Sequence, residues 1–452
     1  MATPRSGAMV GDGSIDFERR TIRRVYWRLV PLLFVMVLFN YLDRLNLGFA
    51  QLQMGDELKI SDAAFGIAGS VFYLGYMVLE IPSNLILDKV GARRWIPRIL
   101  LTWGAVAALT AFVFNDSSLY VARFLLGVME AGFLPGVAIY VSRWFPRRHR
   151  ATAVAGYIIG SQVASVVGGP LSASIMTYAD DAFGLRGWQW MFLIEGIGAI
   201  VVGIIAIRAL TERPADARWL EPEQRDWLEQ TLAAERAATG SQKASVRVVV
   251  GDPRVWILAI MFGCALVGIY GLGLWLPQII DDFGHLSTMQ VGFLSAVPPL
   301  CGVIGTVIVG RSSDRHNERR KHLAFVYGMG AAAIIASALV PSHVVCYLLL
   351  CVMGLFLYSG NSIFWALGSS IRSGAAGAAA VALINTIAQF GGVFGPSAIG
   401  FIRTASGSFT IALLTIGGFL IVATVLALLL RVDRVPESVQ GAGSPQADAE
   451  HA

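Results

Sequence analysis

The chain has 452 residues, of which 55% are hydrophobic and only 14% are charged, whereas roughly a quarter of the residues in a soluble domain are charged. A mean hydropathy of +0.63 excludes a soluble globular protein and a disordered chain. The four cysteines lie in apolar stretches without metal-ligand spacing, which excludes a disulfide scaffold and predicts neither a metal site nor a cofactor. The composition predicts a polytopic membrane protein. The meaning of its basic pI depends on where along the chain the lysines and arginines lie.

Residues 1–28 are polar and rich in arginine, and they predict an N-terminal tail without a cleavable signal. A membrane helix needs about 20 apolar residues. Windows of that kind follow the tail in two groups of six, separated by a polar loop over 209–252 and followed by a second tail over 432–452. The windows are 29–49, 64–87, 95–114, 118–141, 151–173, 188–208, 254–280, 290–310, 322–340, 343–367, 375–401 and 408–431. We therefore predict an all-α protein with twelve transmembrane helices in two bundles, 29–208 and 253–431.

The lysines and arginines are distributed unequally between the two sides of this predicted bundle. Thirty of the 35 fall on the side of the two tails and the central loop, whereas the loops on the other side hold only Lys59, Arg186 and Arg403. Because cytoplasmic loops carry the excess of positive charge, both termini and the central loop are predicted to be cytoplasmic.

The two bundles also share sequence landmarks. Asp88 follows the second window and Asp314 the eighth, and 226 residues separate them. The same offset separates Pro170 in the fifth window from Pro396 in the eleventh. Two landmarks with one offset indicate two homologous halves, an arrangement typical of secondary transporters, in which the substrate site lies near the membrane midplane between the halves.

Each of the two repeated aspartates belongs to a basic turn that predicts a latch between neighbouring helices. The latch residues are Asp88, Arg93 and Arg94 in the first half and Asp314 and Arg315 in the second. The alternative is that these charges anchor the turns to the anionic membrane surface. Both turns resemble the signature G-x-x-x-D-R-x-G-R-R loop of the major facilitator superfamily.

Ionisable residues inside a membrane are rare and usually mark a pathway. Asp43 and Arg44 lie in the first window and Arg123 and Glu130 in the fourth. At about 1.5 Å per residue, Asp43 and Arg123 occupy the same layer and Glu130 lies near the midplane. A buried arginine suits a carboxylate substrate because guanidinium forms bidentate bonds and stays charged, and a midplane carboxyl suits proton coupling. The alternative for Arg123 and Glu130 is a structural ion pair.

Two further buried carboxyls, Glu80 in the second window and Glu195 in the sixth, are predicted to serve helix packing or gating.

Several motifs resemble those of the anion:cation symporter family within the superfamily. They include Asn40-Tyr-Leu-Asp-Arg44, Arg123-Phe-Leu-Leu-Gly127, Glu130-Ala-Gly-Phe-Leu-Pro135, Trp188-Gln-Trp190 and Gly391-Gly-Val-Phe-Gly-Pro396. Bacterial members, such as tartrate and sugar-acid transporters, carry small organic anions together with protons. The resemblance implies a proton-coupled importer of an organic carboxylate that works by alternating access. In such a protein, Asp43 and Glu130 would be the protonation sites, and Arg44 and Arg123 would bind the anion.

The same resemblance implies which other residues line the substrate cavity. These are Tyr41, Tyr73, Gln162, Tyr270, Trp365 and Asn385. It also implies a monomer in the bacterial inner membrane whose partners are the organic anion, the proton and the lipid bilayer, with no nucleic acid.

Three other functions are weighed against this one. A proton-driven exporter of drugs or metabolites would resemble a family with a fuller glycine motif in the fifth window, where Ser165 stands here. A transporter-like sensor would need a sizeable soluble output domain, which the polar loop over 209–252 is too short to form. A membrane enzyme or an ATP-driven pump is the weakest alternative, because the chain has no Walker A loop, HExxH motif or nucleophile elbow.

Overall fold

A computed structural model describes residues 12–239, 249–316, 318–368 and 374–430. The predicted tail over 432–452, and residues 1–11 of the other predicted tail, lie outside them. These described residues form fifteen α-helices, joined by short turns and three single 3₁₀ turns. Their bounds are α1 Asp12–Leu58, α2 Asp62–Val90, α3 Ala92–Leu109, α4 Asp116–Glu130, α5 Phe133–Trp144, α6 Arg147–Tyr178, α7 Gly187–Ala209, α8 Pro222–Thr239, α9 Pro253–Asp281, α10 Thr288–His316, α11 Arg319–Leu339, α12 His343–Gly368, α13 Gly374–Ala388, α14 Phe390–Ser406 and α15 Thr410–Leu429.

The described residues contain twelve segments that are long and apolar enough to cross a membrane. Ten are single helices, and the fourth and eleventh each consist of two consecutive helices, α4 with α5 and α13 with α14. The predicted all-α fold with twelve membrane helices is therefore confirmed. The helix α8 is the described helix that does not belong to a span.

Two segments that the sequence predicted as tail and loop are helical. The helix α1 begins at Asp12 and continues without a break into the first span, and α8 lies within the predicted loop. The reason is that these two pieces pack on each other. The Phe17 ring lies 6.2 Å from that of Trp227 in an edge-to-face contact, and Arg24 Nη1 donates to Glu221 Oε1 at 2.7 Å. Apolar residues next to the membrane thus find a partner in each other.

The fourth span is interrupted directly after Glu130. The helix α4 ends at Glu130, Gly132 adopts a left-handed φ of 83°, and α5 begins at Phe133. A Cβ atom on Gly132 would lie 2.5 Å from Ser83 Oγ of α2, so both the backbone conformation and the close approach require glycine. The predicted continuous helix over 118–141 is thus two helices.

The two halves meet at the end of the molecule where α1 ends and α2 begins, which we call the closed end. There Gln278 Nε2 of α9 donates to Gly48 O of α1 at 2.5 Å, and the Ser397 amide of α14 donates to Ser70 Oγ of α2 at 3.1 Å. The backbones of α6 and α10 also approach each other closely. A Cβ atom on Gly169 of α6 would lie 2.5 Å from the carbonyl oxygen of Gly292 of α10. The apolar core of the second half continues into this end of the first half.

At the opposite end, where α2 meets α3, the ion pairs of the described residues stay within one half. Arg143 of α5 bonds Asp88 of α2 and also Glu212, which lies just after α7 in the central loop, and neither partner belongs to the second half. In the second half, Arg319 Nη1 of α11 donates to the Ala366 carbonyl of α12 at 2.7 Å. Hydrogen bonds between the halves cluster instead at the closed end, and we call this other end the separated end.

Candidate functional site

A buried ion pair joins the first and fourth spans. Arg44 Nε and Nη2 of α1 donate to Glu130 Oε1, the last residue of α4, at 2.8 and 2.5 Å. The side chains are 7% and 0% exposed. Arg123 and Glu130 both lie on α4, but the Glu130 carboxylate bonds Arg44 of α1 rather than Arg123. The attraction within such a buried pair is strong only while the guanidinium and the carboxylate are both charged.

Aromatic rings surround this ion pair. The Arg44 guanidinium carbon lies 5.4 Å from the centroids of Tyr41 and Phe72 and 5.2 Å from that of Tyr76. Arg123 of α4 lies 4.9 Å from the same Phe72 ring. Phe72 therefore contacts both arginines, which places Arg44 and Arg123 in one layer of the first half. Aromatic faces of this kind stabilise cations that have lost their water.

Several polar groups in this layer are buried without a hydrogen-bond partner. Arg123 is 2% exposed, and its Nε and Nη1 atoms have none. The same is true of Asp43 Oδ2, of Glu130 Oε2 and of both side-chain polar atoms of Asn40, among the residues that the structure describes. Buried polar atoms of native proteins are nearly always bonded, so unmet donors and acceptors concentrated in one layer mark a site for a polar ligand. The layer contains two guanidinium groups, of Arg44 and Arg123, and two carboxyl groups, of Asp43 and Glu130.

The contact between the halves that lies nearest to this layer is made by two tyrosines. The Tyr73 ring of α2 lies 4.5 Å from that of Tyr270 of α9, tilted by 34°. Gly392 of α14 packs against both, because a Cβ there would lie 2.8 Å from the Tyr73 ring and 2.9 Å from the Tyr270 ring. Two of the predicted cavity residues thus come from different halves and touch.

The remaining predicted cavity residues are scattered. Tyr41 contacts Arg44, whereas Gln162, Trp365 and Asn385 are half-buried. Trp365 packs edge-to-face on Phe262 at 5.2 Å. In the described part of the chain, no side-chain hydrogen bond or ring contact joins Gln162, Trp365 or Asn385 to the arginine layer.

The structure gives the predicted latch a different partner. Asp88 accepts a hydrogen bond from Arg143 Nη2 at 2.7 Å rather than from Arg93 or Arg94. Arg143 Nη1 also bonds Glu212 Oε1 at 2.9 Å. Glu212 in turn accepts from the backbone amide of Arg93 at 2.8 Å and so caps the start of α3. Arg143 and Glu212 were missed because neither belongs to the repeated turn, and they are brought to it only by the packing of α5 against α2 and α3.

In the second half, the described residues show no ion pair for Asp314 or Arg315. Two other arginines at the separated end bind the ends of neighbouring helices, because Arg319 donates to the Ala366 carbonyl and Arg320 Nε donates to the Ala427 carbonyl at 3.1 Å. Cations are favourable at a helix C-terminus, where carbonyl groups lack partners.

Buried carboxyls other than Asp43 and Glu130 differ in their surroundings. Glu195 of α7 is 4% exposed and bonds residues of α1 and α6. Glu80 of α2 is 7% exposed. Nowhere in the described ranges do three His, Cys, Asp or Glu side chains come together as a metal site.

Comparison with known proteins agrees with this architecture. The family model of the Major Facilitator Superfamily matches residues 33–396. The chain is 41% identical to a protein of Agrobacterium vitis named "Putative tartrate transporter", covering 92% of each chain. It is 38% identical to the "Quinolone resistance transporter" of Acinetobacter baumannii, covering 92% of this chain and 97% of the other. It is 37% identical to the "Putative metabolite transport protein NicT" of Pseudomonas putida, covering 94% and 98%.

Two solved structures share the fold at low sequence identity. An inward-facing, unoccupied bacterial homologue of the human lysosomal transporter Spinster superposes with a TM-score of 0.74 at 17% identity, covering 90% of this chain and 97% of that one. A D-xylose–proton symporter superposes with a TM-score of 0.71 at 13% identity, covering 89% and 97%.

Proposed function

Because the chain belongs to the Major Facilitator Superfamily, and is therefore a multi-pass membrane transporter rather than an enzyme, we propose that it imports a small organic carboxylate together with protons. The observation that carries this proposal is the pair of buried guanidinium groups, of which Arg123 is 2% exposed and has no hydrogen-bond partner among the described residues for its Nε and Nη1 atoms.

Arg123 and Arg44 have different parts in anion binding. Arg123 has buried donors free for a ligand, and a carboxylate is the planar group that accepts two parallel bonds from a guanidinium. Arg44 has its donors on Glu130. It becomes available to the anion when Glu130 is protonated and gives up its negative charge. Proton binding and anion binding therefore support each other.

The cycle follows from this competition. On the outer side, Glu130 and Asp43 take up protons, and the anion binds Arg44 and Arg123. The halves then rock, and on the inner side both carboxyls lose their protons and compete with the anion for the two arginines, which expels it. Tyr41, Tyr73, Gln162, Tyr270, Trp365 and Asn385 line the path of the anion in this proposal. The Tyr73–Tyr270 contact between the halves is the barrier that must part when the closed end opens.

The proposed orientation places the protein in a bacterial inner membrane with both termini in the cytoplasm. The loops at the closed end contain Lys59, Arg186 and Arg403, whereas most of the other basic residues lie toward the separated end, and cytoplasmic loops carry the excess of positive charge. The closed end then faces outward, and the described conformation faces the cytoplasm. The proposed latch of Asp88 with Arg143 lies on the cytoplasmic side.

The named relatives support a carboxylate without deciding which one. Tartrate is named for one relative and a metabolite for another, and the anion:cation symporter motifs given above fit both. The relative named for quinolone resistance keeps drug export as the second candidate. Two relatives named for tartrate, at 41% and 40% identity, are more similar in sequence than that one, which is why we favour import of an organic anion.

Transport by purified protein in proteoliposomes tests the proposal. Vesicles with an acidic exterior are given labelled tartrate, a hexonate, a uronate or an aromatic acid, and in a separate arm a quinolone. We expect one of the carboxylates to accumulate against its gradient and a protonophore to abolish the accumulation. Movement of the quinolone with no movement of tartrate, the hexonate, the uronate or the aromatic acid would establish the exporter instead.

A further inference from the structure

A chain of hydrogen bonds leads from Asp43 away from the arginine layer. Asn46 Nδ2 of α1 donates to Asp43 Oδ1 at 3.3 Å and to Glu195 Oε2 of α7 at 3.1 Å. Ser172 Oγ of α6 donates to the other oxygen of Glu195 at 3.1 Å. All four residues are buried, with Asn46 at 0% and Glu195 at 4% exposure. Three helices of the first half thus converge on one carboxyl that the proposed cycle does not use.

The charges that face Glu195 come from one helix only. The helix α1 presents Asp43 and the neutral Asn46, and α6 presents the neutral Ser172. The helix α3 packs against α7 through backbone, since a Cβ on Gly196 would lie 2.5 Å from the Ala108 amide nitrogen. No cation in the described residues pairs with Glu195, so burial of its negative charge is uncompensated.

Asp43 has charged neighbours of both signs. Arg123 and Arg44 act on it as positive charges, and Glu130 and Glu195 as negative ones. Because both carboxyls bond one nitrogen, the bonded oxygens of Asp43 and Glu195 lie no more than about 6.4 Å apart. Two buried carboxyls this close resist simultaneous ionisation and titrate as a pair rather than independently.

Asn46 is suited to follow the protonation of this pair. As an amide it donates through one end and accepts through the other, and its Oδ1 atom is buried with no partner in the described part of the chain. With Nδ2 toward the carboxyls it stabilises them as anions. With the amide turned over, Oδ1 accepts a bond from a protonated carboxyl.

We propose that Glu195 is a third proton-carrying residue of the transport cycle, beside Asp43 and Glu130, and exchanges one proton with Asp43 next to Asn46. This proposal rests on the function proposed above. Glu195 lies on the closed-end side of Asp43, so in the exchange the O–H bond of the Glu195 carboxyl breaks and a new O–H bond forms on Asp43, and the net charge of the pair does not change. Asp43 then releases that proton toward the cytoplasm and, ionised beside Arg123, displaces the bound anion.

Transport by two variants separates this role from a structural one. Gln at position 195 keeps the length and the acceptor oxygen but carries no proton, whereas Asp keeps a titratable carboxyl on a shorter side chain. We expect Glu195→Gln to lower uptake driven by a pH gradient about tenfold or more while exchange of labelled for unlabelled substrate persists, and Glu195→Asp to retain more uptake. The reverse order, with Glu195→Gln near wild type, would overturn the proposal.

Glu57→Gln is the matched control. Glu57 of α1 is another carboxyl that bonds α7, since it accepts from Trp188 Nε1 at 2.7 Å, but its side chain is 39% exposed and it lies at the closed end. Uptake by Glu57→Gln should remain close to that of wild type. An equal loss in Glu57→Gln and Glu195→Gln would show that contact between α1 and α7, rather than a proton, is what matters.

An infrared titration of the purified protein tests the pair without any substrate. The C=O band of protonated Asp43 is identified by its loss in Asp43→Asn. In Glu195→Gln, the midpoint of that band should move to lower pH by about one unit, because a negative neighbour has been removed. An unchanged midpoint would refute the coupling even if transport is impaired. If wild-type protein moves no carboxylate, the function proposed above fails, and this titration still decides whether the two carboxyls share a proton.

Discussion

Arg44 directs two of its N–H groups to a single oxygen of Glu130, and the other oxygen, Oε2, is buried with no partner among the residues that the structure describes. A carboxylate that is bonded through one oxygen only is held in place, but its second oxygen still lacks a hydrogen bond. The free oxygen is the position at which a proton can be added without first breaking the ion pair. The relationship between these two residues therefore ties the protonation of Glu130 to the availability of Arg44.

The first prediction follows from this relationship. Glu130→Gln mimics the protonated acid and cannot release a proton, so accumulation driven by a pH gradient should collapse, while binding and exchange of the anion partly survive. Wild-type uptake should be largest with an acidic exterior and fall as the external pH rises, and the variant should lose this dependence. Uptake and exchange in proteoliposomes measure both.

Two results would contradict this prediction. Concentrative uptake at the wild-type level in Glu130→Gln would remove the coupling role. An aggregated variant would favour a structural ion pair, since breaking a buried pair by removing one partner typically costs about 3–5 kcal/mol.

The second prediction concerns Arg123 as the anion ligand. Arg123→Lys keeps the charge but loses the planar arrangement of donors, so the binding free energy of the anion should fall by about 2–5 kcal/mol. Thermal-shift titration with carboxylates measures this. Arg98→Lys is the control, because Arg98 stacks on Trp95 at 4.4 Å, outside the arginine layer. Unchanged affinity in folded Arg123→Lys and Arg123→Ala proteins would exclude the role.

The third prediction tests which arginine forms the latch. Arg143 bonds both Asp88 and Glu212, whereas the Arg94 side chain makes no ion pair in the described residues. Arg143→Ala should lower the transport rate about fivefold or more, within the range of conformational coupling energies. It should change thermal stability by less than about 1 kcal/mol because the pair is partly exposed. A larger rate loss in Arg94→Ala would return the latch to the repeated turn.

The fourth prediction concerns the seal between the halves. A Cβ on Gly292 of α10 would lie 2.3 Å from that of Ala173 of α6, so Gly292→Ala should disfavour the closed end. Spin labels on α6 and α10 should then show a longer distance in more of the molecules. Gly418→Ala is the control, because nothing lies within 4 Å of a Cβ there. Identical distance distributions in the two variants would mean that the packing of α6 and α10 does not set the conformation.

The sequence was sufficient for the number and position of the membrane helices, because apolar length is a local property. It was also sufficient to single out Asp43, Arg44, Arg123 and Glu130, since charges inside apolar windows stand out. It could not predict which of them pair. The spacing of seven residues put Arg123 and Glu130 on one helix, as the structure does, but the partner of Glu130 is Arg44 on another helix.

The parts that escaped prediction depend on contacts between distant segments. Glu195 meets Asn46 across 149 residues, and Arg143 meets Glu212 across 69. No periodic pattern in the sequence indicates that either pair of residues is in contact. The helical start of α1 was missed for the same reason, because its partner α8 lies about 200 residues later.

The helix α5 has a mechanical consequence. It has twelve residues and begins just after the turn that follows Glu130, and its last turn contains Arg143. The helix α5 therefore connects the arginine layer at one end to the ion pair of Arg143 with Asp88 at the other. Its hinge is Gly132, a position that has no room for a side chain. We expect the gain or loss of one proton at Glu130 to displace α5 and so to change the ion pair of Arg143 with Asp88 at the separated end. In the proposed cycle, protonation of Glu130 would then determine when the separated end opens and releases the anion.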